Sequence, residues 1–146
     1  MMVGAGFERV FEIGHAYRAE EHNTNRHLNE YVSMDLEMGF IENEFDIMNL
    51  EENLLKFILN SLRIKGKEYL ELLQVELPVI YEEIPKIEFN EAIEILKEQY
   101  NKNDLDGDLD PEAEKLLYKY AKEKLNSDFL FLTNYPRKKK TNVHNA

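Results

Sequence analysis

Charged, hydroxyl and aromatic side chains that could bind a nucleotide and an amino acid cluster near the amino terminus of the sequence. Arg18 and Glu20 end one apolar segment, and Tyr31, Ser33 and Asp35 alternate along the next. An arginine can hold a phosphate with two hydrogen bonds, a tyrosine can stack on a purine, and an aspartate can hold an ammonium group. With a glutamate that accepts from an amino group, these are the parts of a site for ATP and an amino acid.

Other sequence motifs carry less chemistry. The acidic stretch 101–110 misses the register of a calcium-binding EF-hand, because Lys102 and Ala113 stand where carboxylates are required. We therefore expect a solvated turn there. The four histidines show no zinc-binding spacing, and no glycine-rich loop is followed by the lysine that phosphate binding needs. The sequence predicts no metal site.

Two strands must position the candidate side chains. Residues 7–19 are rich in β-branched and aromatic residues, and residues 31–41 alternate polar with apolar side chains. This alternation places the polar residues at positions 31, 33, 35 and 37 on one face of the second strand. The polar stretch 21–30 reads as a connecting loop, so the pattern predicts an antiparallel hairpin with one carboxylate-lined face.

The remainder of the chain predicts helices separated by prolines, with two short extended segments. Apolar residues recur every three or four positions in the helical segments, and Pro111 suits the first turn of a helix. We expect helices over 46–63, 67–77, 91–100 with Asn90 as the N-cap, and 111–125, with extended segments at 84–89 and a buried strand at 129–133. The predicted fold class is α+β.

Composition excludes several function classes. The chain has 146 residues, and 29 acidic against 18 basic residues give a net charge of −11, so any contact with nucleic acid must be local. The absence of cysteine excludes disulfide and thiolate chemistry. No apolar run approaches the roughly 20 residues that span a bilayer, and no export signal opens the chain. We expect a cytoplasmic protein with no membrane partner.

The string RAEEHNTNRHLNEYVSMDLEM, from Arg18 to Met38, resembles motif 2 of class II aminoacyl-tRNA synthetases, and specifically the aspartyl-tRNA synthetases of archaeal and eukaryotic type. The resemblance continues to the segment FLFLTNYP and ends before Thr141. It implies a partial class II catalytic domain over residues 1–136, with an antiparallel sheet flanked by helices and motif 2 at about 7–41. Residues 137–146 would form a basic, disordered tail.

The resemblance also implies a role for each matching residue. Arg18 matches the arginine that binds the α-phosphate of ATP and stabilises the transition state of amino-acid activation. Glu20 matches the glutamate that contacts the adenine amino group, and Tyr31 matches the aromatic residue that stacks on adenine. Ser33 and Asp35 match residues that hold the α-ammonium of the amino acid.

The loop between the strands matches the part of motif 2 that meets tRNA and the triphosphate. Arg26 and His27 match the pair beside the triphosphate of ATP, and they would add local positive charge to an acidic protein. The residues expected at the tRNA acceptor end are Glu21, His22, Asn23, Thr24 and Asn25.

The activity implied by the resemblance is aspartate–tRNA ligation. Aspartate and ATP would give aspartyl-adenylate and pyrophosphate, and the aspartyl group would then pass to tRNA(Asp). ATP is therefore a substrate, magnesium is expected for the parent enzyme with ligands outside this chain, and the parent is expected to be a homodimer. Asparaginyl-tRNA synthetases typically carry Glu-Pro where this chain has Asp35-Leu36, which favours aspartate. An asparaginyl-tRNA synthetase or an asparagine synthetase-like paralogue remains an alternative.

Motif 1 and motif 3 of the class II synthetases are not found in the sequence. We therefore interpret the chain as an internal fragment and expect weak or no catalysis from it alone, because the reaction depends on positioning both ends of the triphosphate. A non-catalytic remnant that binds ATP or tRNA, or an inert one, is the alternative. Missing neighbour strands would leave open sheet edges, so self-association is expected.

Overall fold

The computed structural model describes residues 2–19, 28–105 and 107–136, and it confirms the mixed helix and sheet content. After a short 3-10 helix at Val3–Ala5, the elements are β1 (Arg9–Tyr17), β2 (Glu30–Met38), α1 (Glu44–Lys65), α2 (Lys67–Leu73), β3 (Lys86–Glu88), α3 (Phe89–Tyr100), α4 (Pro111–Lys124) and β4 (Phe131–Thr133). They divide into two compact units, one up to Asn49 and one from Leu50 onward. In the described part of the chain, no helix is long and apolar enough to cross a membrane.

The first unit is dominated by the predicted antiparallel hairpin of β1 and β2. The pairing runs from Arg9 opposite Met38 to Tyr17 opposite Glu30. A further backbone bond of 2.9 Å, from the amide of Arg18 to the carbonyl of Asn29, extends the pairing toward the loop. β2 ends three residues earlier than predicted, because Gly39 closes the ladder and Phe40 adopts a left-handed φ of 56°.

The two faces of the hairpin differ in chemistry. We call one the polar face; it is formed by Val10, Glu12, Gly14 and Ala16 of β1, by Arg18 just after β1, and by Tyr31, Ser33, Asp35 and Glu37 of β2. The opposite face carries apolar side chains that are between 47% and 72% exposed, namely Phe11, Ile13, Tyr17, Val32, Met34 and Leu36. The alternation predicted from the sequence is confirmed, while self-association remains a prediction.

The second unit has its own hydrophobic core. Strands β3 and β4 pair in parallel, with Ile87 opposite Leu132, and α3 and α4 pack beside them. The buried cluster consists of Ile87, Ala92, Ile95, Leu96, Ala113 and Leu117. Pro111 begins α4 as predicted, and the Asp110 side chain caps that helix by accepting from the amide of Ala113 at 2.8 Å.

Glu52 is a buried carboxylate that ties α1 to the segment before β3. It accepts hydrogen bonds from the Lys56 ammonium at 2.6 Å and from the backbone amide of Ile84 at 3.0 Å. The same ammonium donates to the carbonyl of Glu82 at 2.6 Å. Burial alone would raise the pKa of Glu52, but the bonds from Lys56 and Ile84 outweigh it and lower that pKa.

Three element boundaries predicted in this unit are wrong. The helix predicted over 67–77 ends at Leu73, because Gln74 adopts a left-handed conformation and closes the last turn. Asn90 is not an N-cap, since β3 passes directly into α3 and Glu88 takes that position. The strand predicted at 129–133 is limited to residues 131–133, and of these only Thr133 is buried.

The sequence predicts a solvated acidic turn before α4. The structure differs, because the carboxylates of this turn enclose a cation. The ammonium of Lys102 is enclosed by carboxylates, at 2.8 Å from Asp104, 2.8 Å from Asp110 and 2.9 Å from Glu112. Hydrogen bonds from Lys102 lower the pKa of Asp104 and of Asp110, and those carboxylates raise the pKa of Lys102. The turn thus carries its own cation at the position where an EF-hand would need an acid.

Candidate functional site

The polar face of the hairpin brings together the candidate residues that lie on its strands. Antiparallel register places Glu12 opposite Asp35, Gly14 opposite Ser33 and Ala16 opposite Tyr31. Residues directly opposite each other in such a pair have neighbouring side chains on the same face. The two strands therefore form one continuous surface for these side chains.

One end of the polar face combines a cation with an aromatic ring. The guanidinium carbon of Arg18 lies 6.0 Å from the centroid of the Tyr31 ring, which is within the range of a cation–π contact. The Arg18 backbone is held by its bond to Asn29, and Tyr31 is half-buried in β2. A planar guanidinium beside an aromatic face can hold an anionic group next to a stacked ring.

The other end of the polar face is acidic. The hydroxyl of Ser33 donates to Asp35 Oδ1 at 2.8 Å. Because the single hydroxyl proton is engaged in this bond, the oxygen of Ser33 can only accept a further hydrogen bond. Asp35, its cross-strand neighbour Glu12 and Glu37 line an open cavity of about 240 Å³ together with Met2, Val10 and Phe11. This end therefore offers acceptors alone, as a bound ammonium group requires.

Charge changes sign along the polar face. Arg18 and Glu12 are six residues apart along the chain. At a rise of about 3.3 Å per residue, their backbones are about 20 Å apart. Tyr31 and Ser33 lie between Arg18 and the carboxylates of Glu12 and Asp35. Such an arrangement can hold an elongated molecule that carries an anionic group and an ammonium group.

Several residues predicted to form the site lie outside the described residues. They are Glu20, Glu21, His22, Asn23, Thr24, Asn25, Arg26 and His27. The structure therefore brings together four of the predicted residues, namely Arg18, Tyr31, Ser33 and Asp35. The contributions of the loop remain predictions, as does the basic tail at 137–146.

Two residues of the polar face were missed by the sequence analysis. Glu12 and Gly14 precede Arg18 by an even number of positions, and in a strand that spacing places side chains on the same face. This parity was available in the sequence. The pairing partner of each was not, because it depends on the register between the strands.

Among residues 2–19, 28–105 and 107–136, no group of three or more histidines and carboxylates is arranged to hold a metal ion. The carboxylates around Lys102 are occupied by its ammonium. The polar face offers hydrogen-bonding and charged groups.

Comparison with known proteins gives consistent matches along the chain. The family model described as tRNA synthetases class II (D, K and N) matches residues 1–145. An aspartate–tRNA(Asp/Asn) ligase from Deinococcus radiodurans is 50% identical over 137 residues, which are 94% of this chain and 31% of that protein. The chain thus spans about a third of the length of the curated relatives it matches.

Solved structures show the same likeness. An aspartyl-tRNA synthetase from Entamoeba histolytica matches with a TM-score of 0.84 and 30% identity, over 93% of this chain and 29% of its own. An asparaginyl-tRNA synthetase from Pyrococcus horikoshii, solved with asparaginyl-adenylate, matches with a TM-score of 0.73 and 28% identity, over 92% of this chain and 30% of its own.

Proposed function

Because the chain belongs to the class II tRNA synthetases of the D, K and N group, we propose that its hairpin forms part of the site where aspartate is joined to ATP. Curated relatives at about half identity are named aspartate–tRNA ligases. The observation that carries the proposal is the layout of the polar face, with Arg18 on Tyr31 at one end and the Ser33–Asp35 pair at the other.

In the proposed reaction, the hairpin binds ATP at its cationic end. The guanidinium of Arg18 holds the α-phosphate and Tyr31 stacks on adenine. A carboxylate oxygen of aspartate attacks the α-phosphorus, the bond to the β-phosphate oxygen breaks, and pyrophosphate leaves. Arg18 stabilises the negative charge that builds up on the α-phosphoryl oxygens, where a preorganised cation contributes most.

The acidic end of the polar face holds the amino acid. Its ammonium donates to the carboxylate of Asp35 and to the Ser33 oxygen, which the bond between these two residues leaves as an acceptor. The aspartyl group then passes from the adenylate to the terminal ribose of tRNA(Asp), with AMP as the leaving group. The residues Glu21–Asn25 are proposed to meet the acceptor end, and Glu20, Arg26 and His27 to complete the ATP site.

Magnesium and the second subunit belong to the parent enzyme in this proposal. The magnesium ligands are expected outside this chain. Magnesium would neutralise phosphate charge in the parent enzyme. The homodimer and the cytoplasmic location likewise remain proposals about the parent.

The 146-residue chain alone is proposed to bind the substrates with weak or no turnover. It spans about a third of its curated relatives, and rates of phosphoryl chemistry depend on holding all reacting groups in place at once. A second candidate function is therefore nucleotide binding without catalysis. The dipeptide Asp35-Leu36 supports aspartate over asparagine as the amino acid.

The proposal is tested by ATP binding and by amino-acid-dependent pyrophosphate exchange. We expect calorimetry to show ATP binding that Arg18→Ala weakens by about tenfold or more, the equivalent of one lost charge-assisted contact. Arg9→Ala is the matched control, because Arg9 begins β1, at the opposite end from Arg18, and lies on the other face. An equal loss of ATP affinity in both variants would indicate non-specific attraction of ATP to positive charge and would refute the proposed ATP site.

Exchange measured with aspartate and with asparagine separates the two candidate functions. Binding without exchange supports a non-catalytic module. Aspartate-dependent exchange that Arg18→Ala abolishes would show that the chain catalyses activation, contrary to the weak turnover proposed here. Exchange with asparagine alone would reassign the amino acid.

A further inference from the structure

We propose that Gly14 is a residue of the amino-acid site, which keeps the polar face open where the amino-acid half of the adenylate lies. The inference rests on the function proposed above and deepens it. It assigns a role to a residue that carries no functional group, on the basis of what surrounds it.

The backbone does not require glycine at this position. Gly6 and Gly107 have left-handed φ values of 97° and 67°, which favour glycine, whereas Gly14 lies in the middle of β1 with ordinary strand geometry. Glycine inside a strand weakens the strand, since it has no side chain to pack and loses more conformational freedom on folding. Local conformation therefore does not account for the glycine.

Packing within the chain does not require glycine either. A Cβ at position 14 would lie 3.4 Å from Glu12 Oε1 and 3.9 Å from Glu12 Cγ, which are ordinary contacts with a flexible side chain. At Gly66, by contrast, a Cβ would lie 2.8 Å from the carbonyl oxygen of Leu62. The carbonyl of Leu62 therefore requires glycine at position 66, whereas the contacts with Glu12 do not require glycine at position 14.

The space above Gly14 adjoins the groups that are proposed to hold the substrate ammonium. Gly14 lies directly opposite Ser33, whose hydroxyl donates to Asp35. Cβ atoms of opposite residues in an antiparallel pair are about 4.5–5.5 Å apart. A methyl group at position 14 would therefore stand beside the Ser33 oxygen and narrow the approach of an ammonium to it.

The test compares Gly14→Ala and Gly14→Val with Gly66→Ala in the full chain. Two probes are used: AMP, and a non-hydrolysable sulfamoyl analogue of aspartyl-adenylate. We expect Gly14→Ala to keep or raise Tm and to weaken binding of the aspartyl analogue by about tenfold, as a misplaced methyl group typically does. Gly14→Val should weaken it further, while the affinity for AMP stays within about twofold, since AMP lacks the amino-acid half.

Gly66→Ala calibrates the structural alternative, because it should lower Tm. A similar fall in Tm for Gly14→Ala would show that the fold needs the glycine and would overturn the inference. So would unchanged affinity of Gly14→Val for the aspartyl analogue in a chain whose wild type binds it. That second result would leave the proposed function intact, whereas a wild type that binds neither probe removes the proposed function and the inference together.

Discussion

Replacing Glu52 by alanine should destabilise the second unit more than replacing its ion-pair partner Lys56. Alanine leaves the amide of Ile84, whose residue is only 1% exposed, without an acceptor. A buried donor without a partner costs about 1–3 kcal/mol. Loss of the partly exposed pair with Lys56 adds about 0.5 kcal/mol, since exposed pairs contribute little. We expect a decrease of about 1.5–3.5 kcal/mol in the free energy of unfolding.

Two variants separate these contributions. Glu52→Gln keeps an oxygen that can accept from Ile84 but removes the charge that Lys56 faces, and Lys56→Met removes the ammonium with its bonds to Glu52 and to the Glu82 carbonyl. Both should cost less than Glu52→Ala, because each leaves the amide of Ile84 with an acceptor. The assay is urea unfolding at neutral pH followed by far-UV circular dichroism. If Glu52→Ala cost no more than Lys56→Met, the bond to Ile84 would be unimportant and the reasoning would be refuted.

The same variants have a defined pH dependence. The pKa of folded Glu52 lies below its ordinary value of 4.5, so the stabilisation from its charge is fully present above that pH. It is lost as pH falls through the lowered pKa. The difference in unfolding free energy between wild type and Glu52→Gln should therefore shrink in acid, and a constant difference would contradict the assigned pKa direction.

The remaining predictions concern the second unit. Lys102→Met should speed amide hydrogen exchange at the start of α4, because the carboxylates of Asp104 and Asp110 lose their shared cation; unchanged exchange would show that the cluster does not hold the turn. The pKa values of these two aspartates are lowered from 3.8, so their stabilising effect is present above that pH and is lost as pH falls. Because Lys102→Met lacks this effect, calorimetry should show a smaller loss of Tm in acid for the variant than for the wild type. Leu96→Ala, at a fully buried position, should cost about 2–5 kcal/mol in urea unfolding.

Much of the hairpin could be predicted from sequence, because a strand has a side-chain period of two. Alternation along residues 31–37 was enough to place Tyr31, Ser33 and Asp35 on one face, and the structure confirms it. The period cannot say which residue of the first strand lies opposite each of them. That information belongs to the register. The residues opposite Glu12 and Gly14 therefore could not be predicted from the sequence, even though both share parity with Arg18.

One error in the second unit arises from contacts that the sequence pattern does not show. The acidic stretch before α4 was interpreted as solvated, since the pattern showed many carboxylates and no ligand register. The structure places a lysine from the same stretch inside them, at 9% side-chain exposure. Composition shows which charges are present, whereas only the folded turn shows that Lys102 and Asp110 meet.

Two features of the polar face weaken the hairpin locally and become understandable as parts of a binding site. Glu12 and Asp35 stand opposite each other, and like charges in that arrangement destabilise a strand pair. Gly14 weakens the same strand two positions away. Features that oppose stability are expected at functional sites, where a ligand compensates for them. An ammonium group bound to Asp35 and to the Ser33 oxygen, as proposed above, would offset the repulsion from Glu12 and lie beside the open space at Gly14. One bound amino acid at the proposed site would thus account for both features.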